Sequence, residues 1–379
     1  MHFSDHRAAR LATRLSFLVA GFGMACWAPL VPLAKQRLGV DDGVLGLLLL
    51  CLGAGSVVAM MLTGMLSARY GSRPIIIAGG LGLAVLLPPL AVIETPIALG
   101  FALLAFGAAL GSIDVAMNIH AVEVERAVGR PLMSGFHAQF SIGGFAGSAA
   151  MTVLLAQQIQ PFASTLVCAI PMIIAMLLAR PRLLQTAQTD DAPLFALPRG
   201  IVLLLASLAA ITFLVEGAML DWGALLLTTS DHVPATQGGV GYMLFSIAMT
   251  AGRLGGDAIV ARIGDRRILT WGGCLAIAGF VLLLASPIAA TALAGFLLIG
   301  LGASNIVPVL FRRAGAQTAM PSGLAVAAIT TAGYAGVLLG PAGIGFVAEL
   351  SSLQTAFWML AALLCCVTLC APRVTVART

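Results

Sequence analysis

Arg69-Tyr-Gly-Ser-Arg73 and Arg262-Ile-Gly-Asp-Arg266 are two short basic loops, 193 residues apart in a chain of 379, and each interrupts a long apolar stretch. A recurrence at about half the chain length means one structural unit used twice, which has to be recognised before a fold is argued. Working outward from these loops, the flanking residues repeat as well. Phe17-Leu-Val-Ala-Gly21 with Trp27 is echoed by Phe213-Leu-Val-Glu-Gly217 with Trp222, Gly107 by Gly300, and Gly147 by Gly340. Four matches at a nearly constant offset indicate duplication.

Apolar residues make up 60% of the chain and charged residues 9%. A soluble domain carries about 25% charge, so most of this surface is built to face lipid. The net charge of +5 forms no basic stripe on a folded soluble region, which argues against a nucleic-acid partner. The seven cysteines lie within or at the ends of apolar spans with no metal-ligand spacing. They read as small buried hydrophobes rather than a disulfide framework or a metal site. Arg7, Arg10 and Arg14 precede an apolar run that continues to about Pro32. That run exceeds a signal-peptide core of about 7–15 residues and is expected to be an uncleaved first span.

A membrane span needs about 20 apolar residues. Twelve segments qualify: 14–36, 44–68, 74–93, 96–122, 132–157, 161–179, 199–229, 238–261, 267–286, 289–311, 321–347 and 352–371. Backbone polar groups in lipid must be satisfied within the segment, so these are helices. Of the 20 Arg and Lys residues, 18 fall in the terminal segments, in even-to-odd connections or at membrane ends beside them; Lys35 and Arg37 lie on the opposite side. The positive-inside rule then expects both termini in the cytoplasm of a multi-pass bacterial inner-membrane protein. The polar stretch around Asp190, Asp191 and Pro193 separates the halves. The expected organisation is a six-helix bundle over 1–180, a cytoplasmic linker over 181–198 and a second six-helix bundle over 199–379.

Gly64-Met-Leu-Ser-Ala-Arg69-Tyr-Gly71-Ser-Arg73 resembles the signature loop between the second and third spans of the major facilitator superfamily, with Ala68 in place of the usual acid. Two further segments are similar to a bacterial inner-membrane branch related to the rhizopine-region membrane protein and to fucose permease. They are Asp114-Val-Ala-Met-Asn118-Ile-His120 with Ser134-Gly-Phe-His137, and Gly333-Tyr-Ala-Gly-Val-Leu-Leu-Gly-Pro341 through Glu349. The resemblance covers the whole chain. It implies an all-α membrane protein with two pseudo-symmetric six-helix bundles and alternating access by rocking. Spans one, four, seven and ten would line a central cavity.

Ionisable side chains within spans are expensive, about 2.5–3.5 kcal/mol at the helix centre on insertion scales, and usually face a cavity or partner. Asp114 stands in a stripe with Gly107, Gly111 and Asn118 at helical spacing. It reads either as a cavity carboxylate for solute or proton, or as a structural hydrogen bond beside packing glycines. Glu216, where the first-half echo has Ala20, is the candidate for proton coupling or solute contact; a hydrogen-bonded structural glutamate is the alternative. Asp221 lies about 140° further round that helix and reads as a gate residue or an interfacial acid. His137 could relay protons with Asp114, or be an ordinary hydrated histidine near a membrane end. Trp27, Asn118, Asn305 and Tyr334 complete the candidate lining, suited to sugar-like or heteroaromatic solutes; tryptophans also anchor spans at interfaces. Arg253 and Asp257, four apart, are expected to pair as a gate latch. Arg69, Arg73, Arg262 and Arg266 belong to the two gating loops. Gly336-x-x-x-Gly340-Pro341 should bend the eleventh span.

No nucleotide-binding loop of the Walker type is present, and no nucleophile–base or metal-ligand set suggests an enzyme or a cofactor. The expectation is secondary active transport of a small polar organic solute, coupled to protons, by a monomer in the lipid bilayer. The alternatives are a proton-driven exporter of drug-like or amphipathic compounds, a lipid-moving facilitator, and a receptor without turnover.

Overall fold

The computed structural model describes residues 3–40, 42–185, 198–229 and 240–375. The described residues form helices and no strand. They fall into two compact units, one of Met1–Gly129 with Phe136–Ala196 and the other of Arg130–Gly135 with Leu197–Thr379. The expected linker over 181–198 lies largely in 186–197, outside the described residues.

The first unit runs α1 (Phe3–Trp27), a 3-10 turn (Ala28–Leu30), α2 (Val31–Leu38), α3 (Asp42–Tyr70), α4 (Ser72–Leu90), α5 (Pro96–Val128), most of α6 (Met133–Ala156) and α7 (Pro161–Ala179). The second runs α8 (Ile201–Asp221), α9 (Gly223–Thr229), α10 (Val240–Ile263), α11 (Asp265–Ala285), α12 (Ala289–Ala303), α13 (Ile306–Ala316), α14 (Ser322–Leu350) and α15 (Leu353–Thr375). Among the described residues, 11 helical stretches are long and apolar enough to cross a membrane, and a shorter apolar stretch, Ser322–Val337 within α14, supplies the twelfth. This is the expected all-α membrane protein of two six-helix bundles.

Local chemistry sets the helix ends. Thr95 caps α5, its hydroxyl accepting from Ala98 N at 3.4 Å, with Pro96 in the first helical position. Gly71 and Gly264 precede α4 and α11 with nearly the same backbone, φ 78°, ψ 164° and φ 80°, ψ 163°. Each also donates its amide four residues back, to Ser67 O at 2.9 Å and to Val260 O at 2.8 Å. A positive φ of this kind favours glycine, so the glycine of both basic loops is a backbone requirement.

The repeat also governs packing. Without a hydrophobic drive between helices in lipid, close approach over small residues holds the bundles together. A Cβ on Gly107 of α5 would collide with the Leu52 carbonyl of α3, and one on Gly300 of α12 would collide with the Phe245 carbonyl of α10. Both partners in the second contact stand 193 residues after those in the first. The backbones therefore touch at equivalent points in each unit.

Three expectations require correction. The first helix begins at Phe3, not near residue 14, because Ala9, Ala12 and Thr13 are packed in protein and Thr13 Oγ1 lies 3.1 Å from His120 Nδ1. The seventh span is not continuous: α8 stops at Asp221 and α9 restarts at Gly223, with Trp222 at φ −117° between them. The tenth breaks at Ser304–Asn305, where Asn305 takes φ −110°, ψ 0°. The eleventh span is helical through position 341.

Arg37, one of the two basic residues on the minority side, has a structural explanation. Its guanidinium donates to Leu90 O at 2.8 Å, Ala91 O at 2.6 Å and Ile93 O at 3.0 Å, satisfying carbonyls at the end of α4. Pro88 and Pro89 lie in that last stretch of helix, so the end is otherwise poor in backbone partners. Burial lowers the affinity of this guanidinium for its proton, and Glu94 opposes that effect.

Candidate functional site

The broken tenth span builds a buried polar cluster in the second unit. A break exposes carbonyls at the end of α12 that no following amide can satisfy. Arg253, from the neighbouring α10, supplies the donor: its Nε reaches Ser304 O at 3.2 Å. Its Nη2 lies 3.3 Å from Glu216 Oε1 and 3.4 Å from Oε2, the two side chains being 8% and 18% exposed. One guanidinium thus joins α8, α10 and the α12–α13 break. Asn305 Nδ2 donates to Gly252 O at 3.0 Å and Ser304 Oγ at 2.9 Å, while its Oδ1 accepts from no described residue. Tyr242 stacks on Phe245 at 5.9 Å and lies within electrostatic reach of Glu216 and Arg253. The cluster combines a buried ion pair with an amide oxygen and a tyrosine, a set able to bind a polar solute or exchange a proton at the Glu216 carboxylate.

Asp257, four residues after Arg253 on α10, accepts from two backbone amides. Its Oδ1 accepts from Ser134 N and its Oδ2 from Gly135 N, both at 2.9 Å. These amides open α6, so the carboxylate caps that helix and meets the positive end of its dipole.

In the first unit, Asp114 and Asn118 are brought together on α5. Asn118 Nδ2 donates to Asp114 O at 2.9 Å and to Asp114 Oδ1 at 3.4 Å, and Asn118 Oδ1 accepts from no described residue. Both are buried. His137 is buried edge-on against Phe17, with ring centroids 5.3 Å apart. Trp27 ends α1; its indole N–H and that of Trp222 are buried and donate to no described residue. Tyr334 is half-buried on α14, and Asp221 is exposed at the end of α8. Arg69 and Arg262 close α3 and α10, and Arg73 and Arg266 stand in the first turns of α4 and α11. All four are exposed or partly exposed.

Three arrangements went unread in the sequence: the pairing of Glu216 with Arg253, the capping of α6 by Asp257, and the Asp265 carboxylate held by Arg312 and Arg313. The first had a signal. Arg253 and Glu216 are both charged within apolar spans of one half, and two such groups need each other.

The chain carries this architecture into comparison with known proteins. The model of the Major Facilitator Superfamily matches residues 15–312. An uncharacterised MFS-type transporter of Yersinia pestis is 49% identical over 97% of this chain and 96% of its own length. The membrane protein MosC of Rhizobium meliloti is 32% identical over 93% of this chain and 86% of its own. Among solved structures, the fucose:proton symporter of E. coli superposes with TM-score 0.77 over 97% of this chain and 98% of that one, at 17% identity, a likeness of fold. With duplicated six-helix units, paired glycine turns and relatives that span its length, the chain belongs to the major facilitator superfamily.

Proposed function

We propose that this transporter moves a small polar organic solute across the bacterial inner membrane by alternating access, coupled to protons. It acts as a monomer with cytoplasmic termini, no cofactor and no nucleic-acid partner. Its halves are 1–180 and 199–379, joined by the 181–198 linker. The observation that carries the coupling is the buried Arg253–Glu216 pair at the broken tenth span. An ionised Glu216 holds Arg253; a protonated one loses most of that attraction and frees the guanidinium for an anionic or hydroxyl-bearing solute. Proton and solute binding thereby become linked through one side chain, as a coupling free energy requires. Asp114 with Asn118, Trp27, Asn305 and Tyr334 contribute solute contacts, and His137 assists proton movement. The basic loops at Arg69, Arg73, Arg262 and Arg266, together with Asp257 of α10 and Asp221, gate access.

The test is transport in proteoliposomes. A thermal-shift screen over sugars, polyols, organic acids, amino acids and nucleosides first identifies a ligand. An imposed proton gradient should then drive its accumulation, and Glu216→Gln should abolish accumulation while preserving exchange. Uphill transport that survives both Glu216→Gln and Asp114→Asn overturns the assignment.

A further inference from the structure

The second unit contains a polar groove that the Arg253–Glu216 cluster does not use. It has a volume of about 830 Å³ and lies between the start of α11, α13 and the end of α15. Its lining includes Asp265, Arg266, Arg267, Trp271, Arg313 and Leu369. Both Asp265 oxygens are engaged, one by Arg312 and the other by Arg313 Nε at 2.6 Å. Arg266 and Arg267 are exposed and form no ion pair among the described residues. The first turn of α11 adds the positive end of its dipole. Beside this cationic floor, Trp271 is 68% and Leu369 76% exposed.

The repeat shows what is particular to the second unit. At an offset of 193, Arg313 stands where the first unit has His120, Arg267 where it has Pro74, and Trp271 where it has Ala78. In the first unit Pro74 and Ala78 line a smaller groove of about 450 Å³ without basic residues. His120 lies outside it, fully buried, touching Thr13 through Nδ1 and accepting from Leu184 N at 2.9 Å through Nε2. The second unit has replaced an imidazole plugged by its own chain with a guanidinium facing an open groove.

We propose that this groove is a binding site for an anionic phospholipid. The headgroup phosphate lies against Arg266, Arg267 and Arg313, and an acyl chain runs along Trp271 and Leu369. Arginine suits the phosphate through its planar fork of donors. A tryptophan at the boundary between polar floor and apolar wall suits the glycerol backbone level of a lipid. A free phosphate would meet the arginines alone, whereas Trp271 and Leu369 on the same groove give an acyl chain a second contact, which favours the lipid as the source of the anion.

The full-length protein, delipidated in detergent, would be titrated with phosphatidylglycerol, phosphatidylcholine and inorganic phosphate, with binding read by native mass spectrometry and thermal unfolding. Phosphatidylglycerol should bind and stabilise where phosphatidylcholine does not. The double substitution Arg266→Gln, Arg267→Gln should weaken phosphatidylglycerol about 30-fold, from about 1 kcal/mol per arginine. Those side chains hold no described partner, so the variant should fold normally. Trp271→Ala should weaken the lipid but leave any phosphate binding unchanged. Equal binding of the two lipids, an unchanged affinity in the double variant, or full stabilisation by phosphate alone would each overturn the proposal.

Discussion

Replacing Arg253 by methionine isolates the energetic role of the buried pair. The substitution keeps an unbranched stem but removes the donor to Ser304 O and the cation beside Glu216. Breaking a buried ion pair from one side costs about 3–5 kcal/mol, because the remaining charge is left uncompensated. With both side chains mostly buried, little of that is relieved by water. For a cooperative unit the size of the second one, about 2–4 °C per kcal/mol applies, so the unfolding temperature should fall by roughly 6–20 °C. Adding Glu216→Gln to Arg253→Met removes the stranded charge, and the double variant should recover to within about 2 kcal/mol of the parent. The assay is thermal unfolding of detergent-purified protein for the parent, both single variants and the double. Additive losses in the double variant would refute the pairing as an energetic unit. An Arg253→Met variant as stable as the parent would refute the role of the guanidinium altogether.

Three further perturbations follow from the geometry. Arg37→Gln removes three carbonyl contacts at the end of α4 and should cost about 1.5–3 kcal/mol, read as an earlier thermal transition; an unchanged transition would mean water satisfies those carbonyls equally well. Asp257→Asn weakens the cap on α6 by about 0.5–2 kcal/mol, and should raise cysteine-reagent access at a reporter placed near residue 134 while leaving solute affinity in detergent unchanged. Gly107→Leu and Gly300→Leu press a side chain onto the carbonyls of Leu52 and Phe245; each should destabilise by about 1–3 kcal/mol, and by similar amounts if the two contacts are equivalent.

The fold was legible because lipid leaves few options. Runs of apolar residues, positive loops and the 193-residue echo all point to one architecture, and Gly71 and Gly264 show that the echo reaches individual dihedral angles. The helix breaks went unread, although the tenth had a signal: Pro308 has no amide to offer Ser304 O four residues earlier, and that carbonyl is met instead by Arg253, 51 residues away in sequence. Pro341 is accommodated within helical backbone, as neighbouring groups in a bundle can satisfy the carbonyl a proline frees. The site residues were partly legible for a related reason. Intramembrane charges announce themselves singly, but which charge meets which depends on helix rotation, and spacing along one helix gives no sign that Arg253 of α10 meets Glu216 of α8.

The interruption between α12 and α13 also bears on selectivity. Ser304 O is a main-chain acceptor whose donor belongs to a mobile kind of side chain, the long stem of Arg253. Any guest that draws Arg253 away inherits the obligation to hydrate or hydrogen-bond that oxygen. A solute bearing an ammonium or hydroxyl can discharge it, whereas an isostere with a methyl group there leaves a dry acceptor costing about 1–3 kcal/mol. That difference corresponds to roughly 5- to 150-fold discrimination, so the backbone itself would screen cargo for hydrogen-bond donors, a filter that no side-chain substitution in the pocket wall could erase.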